Sequence, residues 1–260
     1  MAKRDAQKIF TRVVRNTFFL FCDLITFHSV AMKGLVTGVN ESVKESVEKV
    51  KRVFDEKSQE RLGTYDKVQE NIHIEILRKD LAPKYSKDAK AAIEAACIVF
   101  AHGIIDACVY EYLTITALAA PNLWDSWLEK KGIHIELSKV RNSTYEQIRD
   151  KRIIDILTKE VERKSLIYKL DLLHKITPPK NGFNKVFGDA YDRERIVTLD
   201  NLRHNIVHKN IWKYKSLDLD KELLFWWGIN EYLSRLVVES TSLILELYDG
   251  SSEESPKPKP

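Results

Sequence analysis

Apolar residues recur at helical spacing along most of the chain, and no segment of useful length alternates apolar and polar residues as a strand would. The gaps in the pattern fall at glycine, proline and capping residues, where helices usually end. The pattern therefore predicts an all-α protein. The predicted helices cover residues 5–33, 40–62, 65–81, 88–119, 123–128, 135–146, 149–174, 198–212 and 218–248.

Glycine and proline residues divide the chain into its predicted parts. The first helix is expected to end around Gly34 and Gly38, and Pro83 is expected to stop the third, because proline disfavours helical backbone in the residue before it. The longest predicted loop, 177–188 (TPPKNGFNKVFG), precedes the helix 198–212. The predicted domains are an N-terminal helical region, a core domain and a disordered tail, at residues 1–85, 86–250 and 251–260.

The predicted helix 198–212 (TLDNLRHNIVHKNIW) brings together groups with distinct chemistry. On a helical wheel its apolar residues lie on one side and its polar residues on the other. The apolar side holds Leu199, Leu202, Ile206 and Val207, and the polar side holds Asn201, His204, Asn205 and His208. Arg203 is the exception: it projects from within the apolar arc and, if buried, needs an acidic partner, a phosphate or access to solvent. His208 offers an imidazole for proton transfer near neutral pH, so the helix provides two groups that phosphodiester cleavage needs.

The run Arg203-His204-Asn205-Ile206-Val207-His208 resembles the signature of the HEPN superfamily, in which an arginine, a polar residue and a few further residues precede a histidine. It also lies late in a predicted all-helical chain, before a long apolar helix, where that family carries its motif. The resemblance implies a HEPN-like helical bundle with additional N-terminal helices. It further implies a metal-independent ribonuclease, often a toxin or antiviral defence effector, whose composite site forms across a homodimer.

The same resemblance suggests a role for each motif residue. His208 would act as general base on a ribose 2′-hydroxyl, which would attack the adjacent phosphate and leave a 2′,3′-cyclic phosphate and a 5′-hydroxyl. Arg203 would bind the phosphate and stabilise the developing charge, and His204 or Asn205 would position the backbone or a second proton. Because one helix provides no separate acid and base at good spacing, two copies facing across a two-fold axis are expected to supply both.

Polar residues interrupt the predicted helix 88–119, which is apolar nearly all round and is therefore expected at the centre of the fold. His102 and Asp106 are four residues apart and can pair directly, which is a structural role. Alternatively, Asp106 or Glu111 faces the helix 198–212 and holds Arg203, as acidic residues do in some HEPN proteins.

Basic residues near the motif are candidate contacts for RNA. Lys180 and Lys185 lie in the loop 177–188 beside two phenylalanines, and Lys209 follows the motif directly. An aromatic loop of this length also often packs back on its own domain, so both interpretations stay open. The net charge of +4 and a pI near 8.7 permit RNA as a partner without requiring it.

The cysteines and the apolar run near the N-terminus bear on whether the protein binds a metal, spans a membrane or is secreted. Cys22, Cys97 and Cys108 include no CxxC pair, which disfavours zinc and iron–sulfur sites and suits a reducing cell interior, where cysteine behaves as a small, buried apolar residue. The run Phe18–Val36 contains Asp23, His28 and Lys33 and is a poor candidate for a membrane span. No secretory signal is expected either, so the predicted location is cytoplasmic.

The sequence is compatible with two functions. The first is the metal-independent endoribonuclease, without cofactor or metal, acting on RNA as a homodimer, with an antitoxin as a possible partner and no membrane. The second is a non-catalytic helical dimeric interaction or RNA-binding module. In that module Arg203 bridges to an acidic residue of a neighbouring helix and His208 is a solvated surface group.

Overall fold

The computed structural model describes residues 2–58, 64–131, 143–179, 191–209 and 218–243. Within those ranges every regular element is a helix, which confirms the predicted all-α class. The helices are α1 (Ala2–Ser58), α2 (Thr64–Ile76), α3 (Ala82–Ala119), α4 (Asp125–Lys130), α5 (Tyr145–Ile156), α6 (Leu166–Ile176), α7 (Arg193–Lys209) and α8 (Leu219–Thr241). Short turns of π-helix lie at Leu77–Leu81 and Leu157–Val161, and a 3₁₀ turn lies at Pro121–Trp124.

Two predicted helix ends are wrong because the helices continue through them. Helix α1 passes through Gly34 and Gly38 without a break. A glycine costs a helix only about 1 kcal/mol relative to alanine, which the surrounding helical residues offset. Helical backbone also continues through Pro83, and the π-turn Leu77–Leu81 directly precedes α3. Such a turn rearranges the hydrogen-bond ladder and thereby accommodates a residue that has no backbone N–H to donate.

One predicted helix is divided in the structure. The segment expected to be helical over 149–174 forms α5, a π-turn and α6, with Ser165 as the N-cap of α6 through its hydroxyl and the Tyr168 amide. Helix α5 begins after Thr144, which forms a reciprocal capping box with Gln147. The predicted helix 135–146 lies largely outside the described residues.

The chain forms two compact units that interleave along the sequence. Unit 1 contains residues 1–17, 106–191 and 229–260, and unit 2 contains residues 18–105 and 192–228. The long helices α1, α3 and α8 contribute residues to both units. The sequence-based boundary between the N-terminal helical region and the core domain, after residue 85, was placed at Pro83 and stays a prediction.

The core of unit 1 contains buried polar groups that are satisfied internally. The hydroxyl of Tyr112 donates a hydrogen bond to Asn230 Oδ1 at 2.8 Å, and Trp124 Nε1 donates to Thr116 Oγ1 at 3.2 Å. All four side chains are buried. These bonds remove the desolvation cost that unpaired polar groups would impose on the core.

The core of unit 2 is built around buried residues of α3, α7 and α8. The buried side chains that line it are Ile98, Ile105, Ile196, Leu199, Ile206, Leu223 and Trp226. Part of α1 joins them, since Phe21 is buried and its ring lies edge-on to Trp227, with the centroids 5.9 Å apart. Helix α7, which carries the motif, is thus fixed along one side.

Two of the three cysteines behave as small core residues, as the sequence suggested. Cys97 and Cys108 are buried, and burial raises the pKa of each thiol to about 11, so both stay protonated and unreactive at neutral pH. Cys22 is exposed on α1. The prediction of a buried apolar role therefore fails for Cys22.

Candidate functional site on helix α7

Helix α7 begins five residues earlier than predicted, because Asp192 caps it. The Asp192 carboxylate accepts a hydrogen bond from the amide of Arg195 at 2.9 Å, and its carbonyl accepts from the amide of Ile196. The helix runs to Lys209, which is exposed in its last turn. Trp212, the predicted end, lies outside the described residues.

A second contact secures the first turns of α7 to α8. Arg195 donates a hydrogen bond to Glu222 at 3.0 Å, and its guanidinium lies 4.0 Å from the centroid of the Phe225 ring. Glu222 is almost completely buried, so this ion pair is better shielded from water than a surface pair. The combination of ion pair and cation–π contact fixes the helix that presents the motif.

The buried stripe of α7 includes Arg203. Ile196, Leu199 and Ile206 are at most 5% exposed, and Arg203 falls in the same stripe at helical spacing, half-buried. Its place in the apolar arc is therefore as predicted, and the residue is only partly buried. Val207 does not belong to the arc: it is 43% exposed, because it lies one residue past the packed stripe.

Two imidazoles of the motif lie against each other on the exposed side of α7. His204 and His208 are one turn apart, and their ring centroids are 4.6 Å apart with an interplanar angle of 47°. Both side chains are exposed, and Asn205 is half-buried. The polar side predicted from the sequence thus faces solvent, and one chain holds two imidazoles at one place.

A short hydrogen bond beneath this surface joins α3 to α7. His102, which is 5% exposed, donates from Nε2 to Asp200 Oδ1 at 2.6 Å. The ring of His102 also lies edge-on to Trp226, at a centroid distance of 6.0 Å. The expected pairing of His102 with Asp106 is therefore wrong: the carboxylate that reaches this ring comes from another helix.

Asp200 is the functional candidate that sequence reasoning missed. The hydrogen bond from His102 lowers the pKa of the Asp200 carboxyl, and the positive charges of His102, Arg203 and His204 act in the same direction. Asp200 precedes Arg203 by three residues and His204 by four, a spacing that places all three on neighbouring parts of one helix face. That spacing was the signal available in the sequence.

The two acidic residues assigned to Arg203 have other partners in unit 1. Lys169 donates to both carboxylate oxygens of Asp106, at 2.9 and 3.0 Å, and Arg12 donates to Glu111 at 3.3 Å. Lys169 is buried, so Asp106 neutralises a charge within the core. The charge of Arg203 instead contributes to the lowered pKa of the Asp200 carboxyl.

Lys180 and Lys185 lie outside the described residues, so their assignment as RNA contacts stays a prediction. In the described ranges, no group of three or more histidine, cysteine, aspartate or glutamate side chains is arranged to hold a metal ion.

Comparisons with known proteins add no assignment for this chain: no family model, no curated protein and no solved structure gives a significant match. The chemistry of the site therefore follows from its residues. A partly buried arginine, two adjacent imidazoles and a supporting histidine–carboxylate pair can bind a phosphate and move protons beside it.

Proposed function

We propose that this protein is a metal-independent endoribonuclease of the HEPN type, with a HEPN-like helical bundle and additional N-terminal helices. The observation that carries the proposal is the grouping on α7 of half-buried Arg203 with exposed His204 and His208, whose rings are 4.6 Å apart. The match of these residues to the family signature supports the same assignment.

In the proposed reaction His208 accepts the proton of a ribose 2′-hydroxyl, and the 2′-oxygen attacks the adjacent phosphorus. The bond from phosphorus to the 5′-oxygen breaks, and the leaving oxygen takes a proton. The products are a 2′,3′-cyclic phosphate and a 5′-hydroxyl. Positioned proton transfer of this kind contributes roughly 10²–10⁴-fold to the rate.

Arg203 donates hydrogen bonds to the non-bridging phosphate oxygens, where negative charge accumulates as the 2′-oxygen attacks. Its position in the packed stripe restricts its movement, and its incomplete burial supports the proposal that the guanidinium reaches a phosphate. Asp200 is a positioning residue one turn earlier: held by His102, it supplies a negative charge that orients Arg203. Asn205 contributes hydrogen bonding beside the imidazoles.

The second proton has two candidate sources. The sequence suggested that two copies facing across a two-fold axis supply acid and base together, and the His204–His208 contact offers a pair of imidazoles within one chain. We retain the homodimer in the proposal, with two α7 surfaces forming one basic cleft that RNA enters. Lys209, exposed at the end of α7, adds positive charge there. A cytoplasmic toxin or antiviral role, restrained by an antitoxin, is the biological context proposed.

The test uses purified protein, a single-stranded RNA and a DNA of the same sequence, all in EDTA. The parent should cleave the RNA and leave the DNA intact. His208→Ala and Arg203→Ala should each lower the rate of RNA cleavage by about 10²-fold or more. His73→Ala and Arg78→Ala are matched controls, because both residues are exposed and lie on other helical segments. These controls should cleave like the parent.

The alternative outcome identifies the second function. If RNA binds but stays intact with the parent protein, and the bound fraction falls with Arg203→Ala, the chain is a non-catalytic RNA-binding module. If cleavage persists in Arg203→Ala and His208→Ala proteins that remain folded, the proposed site is wrong.

A further inference from the structure

The net positive charge of the chain is concentrated at the start of α1, in the part of this helix that belongs to unit 1. Residues 1–17 contain five lysines and arginines and one aspartate, so their net charge is +4. The whole chain also carries +4, and residues 18–260 therefore contain equal numbers of acidic and basic side chains. Such a separation of charge along a chain favours an anionic partner for the basic segment.

Four of these five cations share one side of the helix. At about 100° per residue, Arg4, Lys8, Arg12 and Arg15 fall within an arc of about 80°. We call these four residues the basic stripe. All four are exposed.

The opposite side of the same helical turns is buried in unit 1. Its buried residues are Ala6, Phe10, Val13 and Thr17. The ring centroids of Phe10 and Tyr112 lie 6.3 Å apart, and the Thr17 hydroxyl forms a hydrogen bond of 2.8 Å with Cys108 Sγ. The backbone that carries the basic stripe is thus fixed before any ligand binds, which lowers the entropic cost of binding.

The basic stripe lines a groove together with the neutral polar residues Gln7, Thr11 and Asn16. Arginine, lysine, glutamine, threonine and asparagine are all side chains that contact phosphate oxygens in nucleic-acid complexes. Among the described residues, neither a hydrophobic nor an acidic side chain lines this groove. It therefore lacks the apolar anchors of a protein interface and the apolar side chains that would enter a lipid bilayer.

One carboxylate lies beside the basic stripe. Arg12 donates a hydrogen bond to Glu111 at 3.3 Å, and the two side chains are 58% and 33% exposed. An ion pair this exposed contributes little to stability, so a phosphate can replace Glu111 at small cost. Four cations against one carboxylate still leave an excess of three positive charges at this surface.

The spacing of the stripe matches a linear chain of charges. Successive members are separated by about 6, 6 and 4.5 Å along the helix axis. Successive phosphates of an extended single strand are a similar distance apart, so each cation can meet a different phosphate. A positively charged groove that follows the backbone is the usual way in which proteins bind single strands without reading their sequence.

We propose that the basic stripe binds the phosphate backbone of single-stranded RNA. The inference rests on the proposed function for its choice of RNA, and it adds to the motif on α7 a binding surface that takes no part in the cleavage chemistry. The contacts go to phosphates, so the stripe should raise affinity for any RNA sequence and should do so less as the salt concentration rises.

The experiment measures binding of the full chain to a fluorescent single-stranded RNA by anisotropy, in EDTA, over a range of salt concentrations. Every 2′-hydroxyl of this RNA is methylated, so the probe keeps its phosphates and cannot undergo the proposed cleavage. For single strands the logarithm of the affinity falls with the logarithm of the salt concentration, with a slope of about −0.7 per phosphate contact.

The double variant Arg4→Gln/Lys8→Gln removes two of the proposed contacts. Its salt slope should be shallower by about 1.4, and its affinity at 0.1 M salt should be lower by at least about tenfold. The matched control Lys44→Gln/Arg52→Gln also removes one lysine and one arginine that are exposed on α1, away from the stripe. It should bind like the parent, and both variants should keep the parent's helical circular dichroism.

Absence of RNA binding by the parent, an unchanged slope in Arg4→Gln/Lys8→Gln, or an equal loss in the control overturns the proposal. Displacement of the RNA by polyglutamate as readily as by unlabelled RNA assigns the stripe to an acidic protein and also overturns it. The cleavage assay separates the two proposals. A stripe-dependent salt slope in a protein that cuts no RNA supports the stripe and refutes the ribonuclease, whereas cleavage with an unchanged slope does the reverse.

Discussion

Replacement of Asp200 tests the arrangement that holds the motif in place. His102 is almost completely buried and donates to Asp200 at 2.6 Å, so Asp200→Ala leaves a buried N–H without its acceptor. A hydrogen bond to a charged group contributes about 1.5–3 kcal/mol, and we expect Asp200→Ala to lower the free energy of unfolding by that amount. Asp200→Asn retains an acceptor oxygen and loses only the charge, so about half of that loss is expected.

The pH dependence of this loss has a definite sign. The pKa of Asp200 is lowered in the folded protein, mainly by the hydrogen bond from His102, so the ionised carboxylate stabilises the fold above its unfolded pKa of about 3.9. That contribution disappears as the pH falls through the lower folded value. The difference between the parent and Asp200→Asn should therefore shrink as the pH falls below about pH 4.

The free energy of unfolding is measured by urea denaturation and monitored by tryptophan fluorescence. Trp226 lies against the His102 ring and therefore reports on this part of unit 2. Asp80→Asn serves as the control, because Asp80 is exposed on a π-turn and should change stability by less than about 0.5 kcal/mol. Equal stability of the parent and Asp200→Ala at pH 7, or a difference between the parent and Asp200→Asn that grows below about pH 4, would contradict this account.

Three further predictions concern the rest of the fold. Gly34→Ala and Gly38→Ala should each raise the free energy of unfolding by about 0.5–1 kcal/mol, since a Cβ meets nothing within 4 Å at either position. A lower free energy of unfolding in urea denaturation would contradict this prediction. A thiol reagent should modify Cys22 alone in the native protein and all three cysteines in urea, as counted by mass spectrometry. Asp106→Ala should lower the free energy of unfolding by about 3 kcal/mol in thermal or urea denaturation, because it leaves the buried Lys169 charge unpaired. The double variant Lys169→Met/Asp106→Leu should recover most of that loss.

Local pattern determined which parts of the fold were predictable. The helical class and the polar face of α7 follow from residue spacing alone, because a helix places residues three and four apart on one side. Helix ends were less predictable, since Gly34 and Pro83 disfavour helix by amounts that neighbouring residues and a π-turn offset. Val207 was misplaced because it lies one position beyond the packed stripe.

The features that the sequence did not predict depend on contacts between residues that are far apart along the chain. His102 and Asp106 have the right local spacing to pair, yet each finds its partner elsewhere, in Asp200 and Lys169. Only the packing of the helices determines which of several available carboxylates a histidine meets. The exposure of α1 is a similar case: the sequence shows an apolar run, and only the structure shows that Phe19 and its neighbours stay uncovered.

The most direct measurement of the central claim uses an RNA in which the ribose at one mapped cut site is replaced by deoxyribose. If Arg203 and His208 act on a 2′-hydroxyl, cleavage at that position should stop, while other sites are still cut in EDTA and yield 2′,3′-cyclic phosphate ends. Cleavage that continues at the deoxyribose, or products that end in a 3′-hydroxyl, would contradict the proposed chemistry.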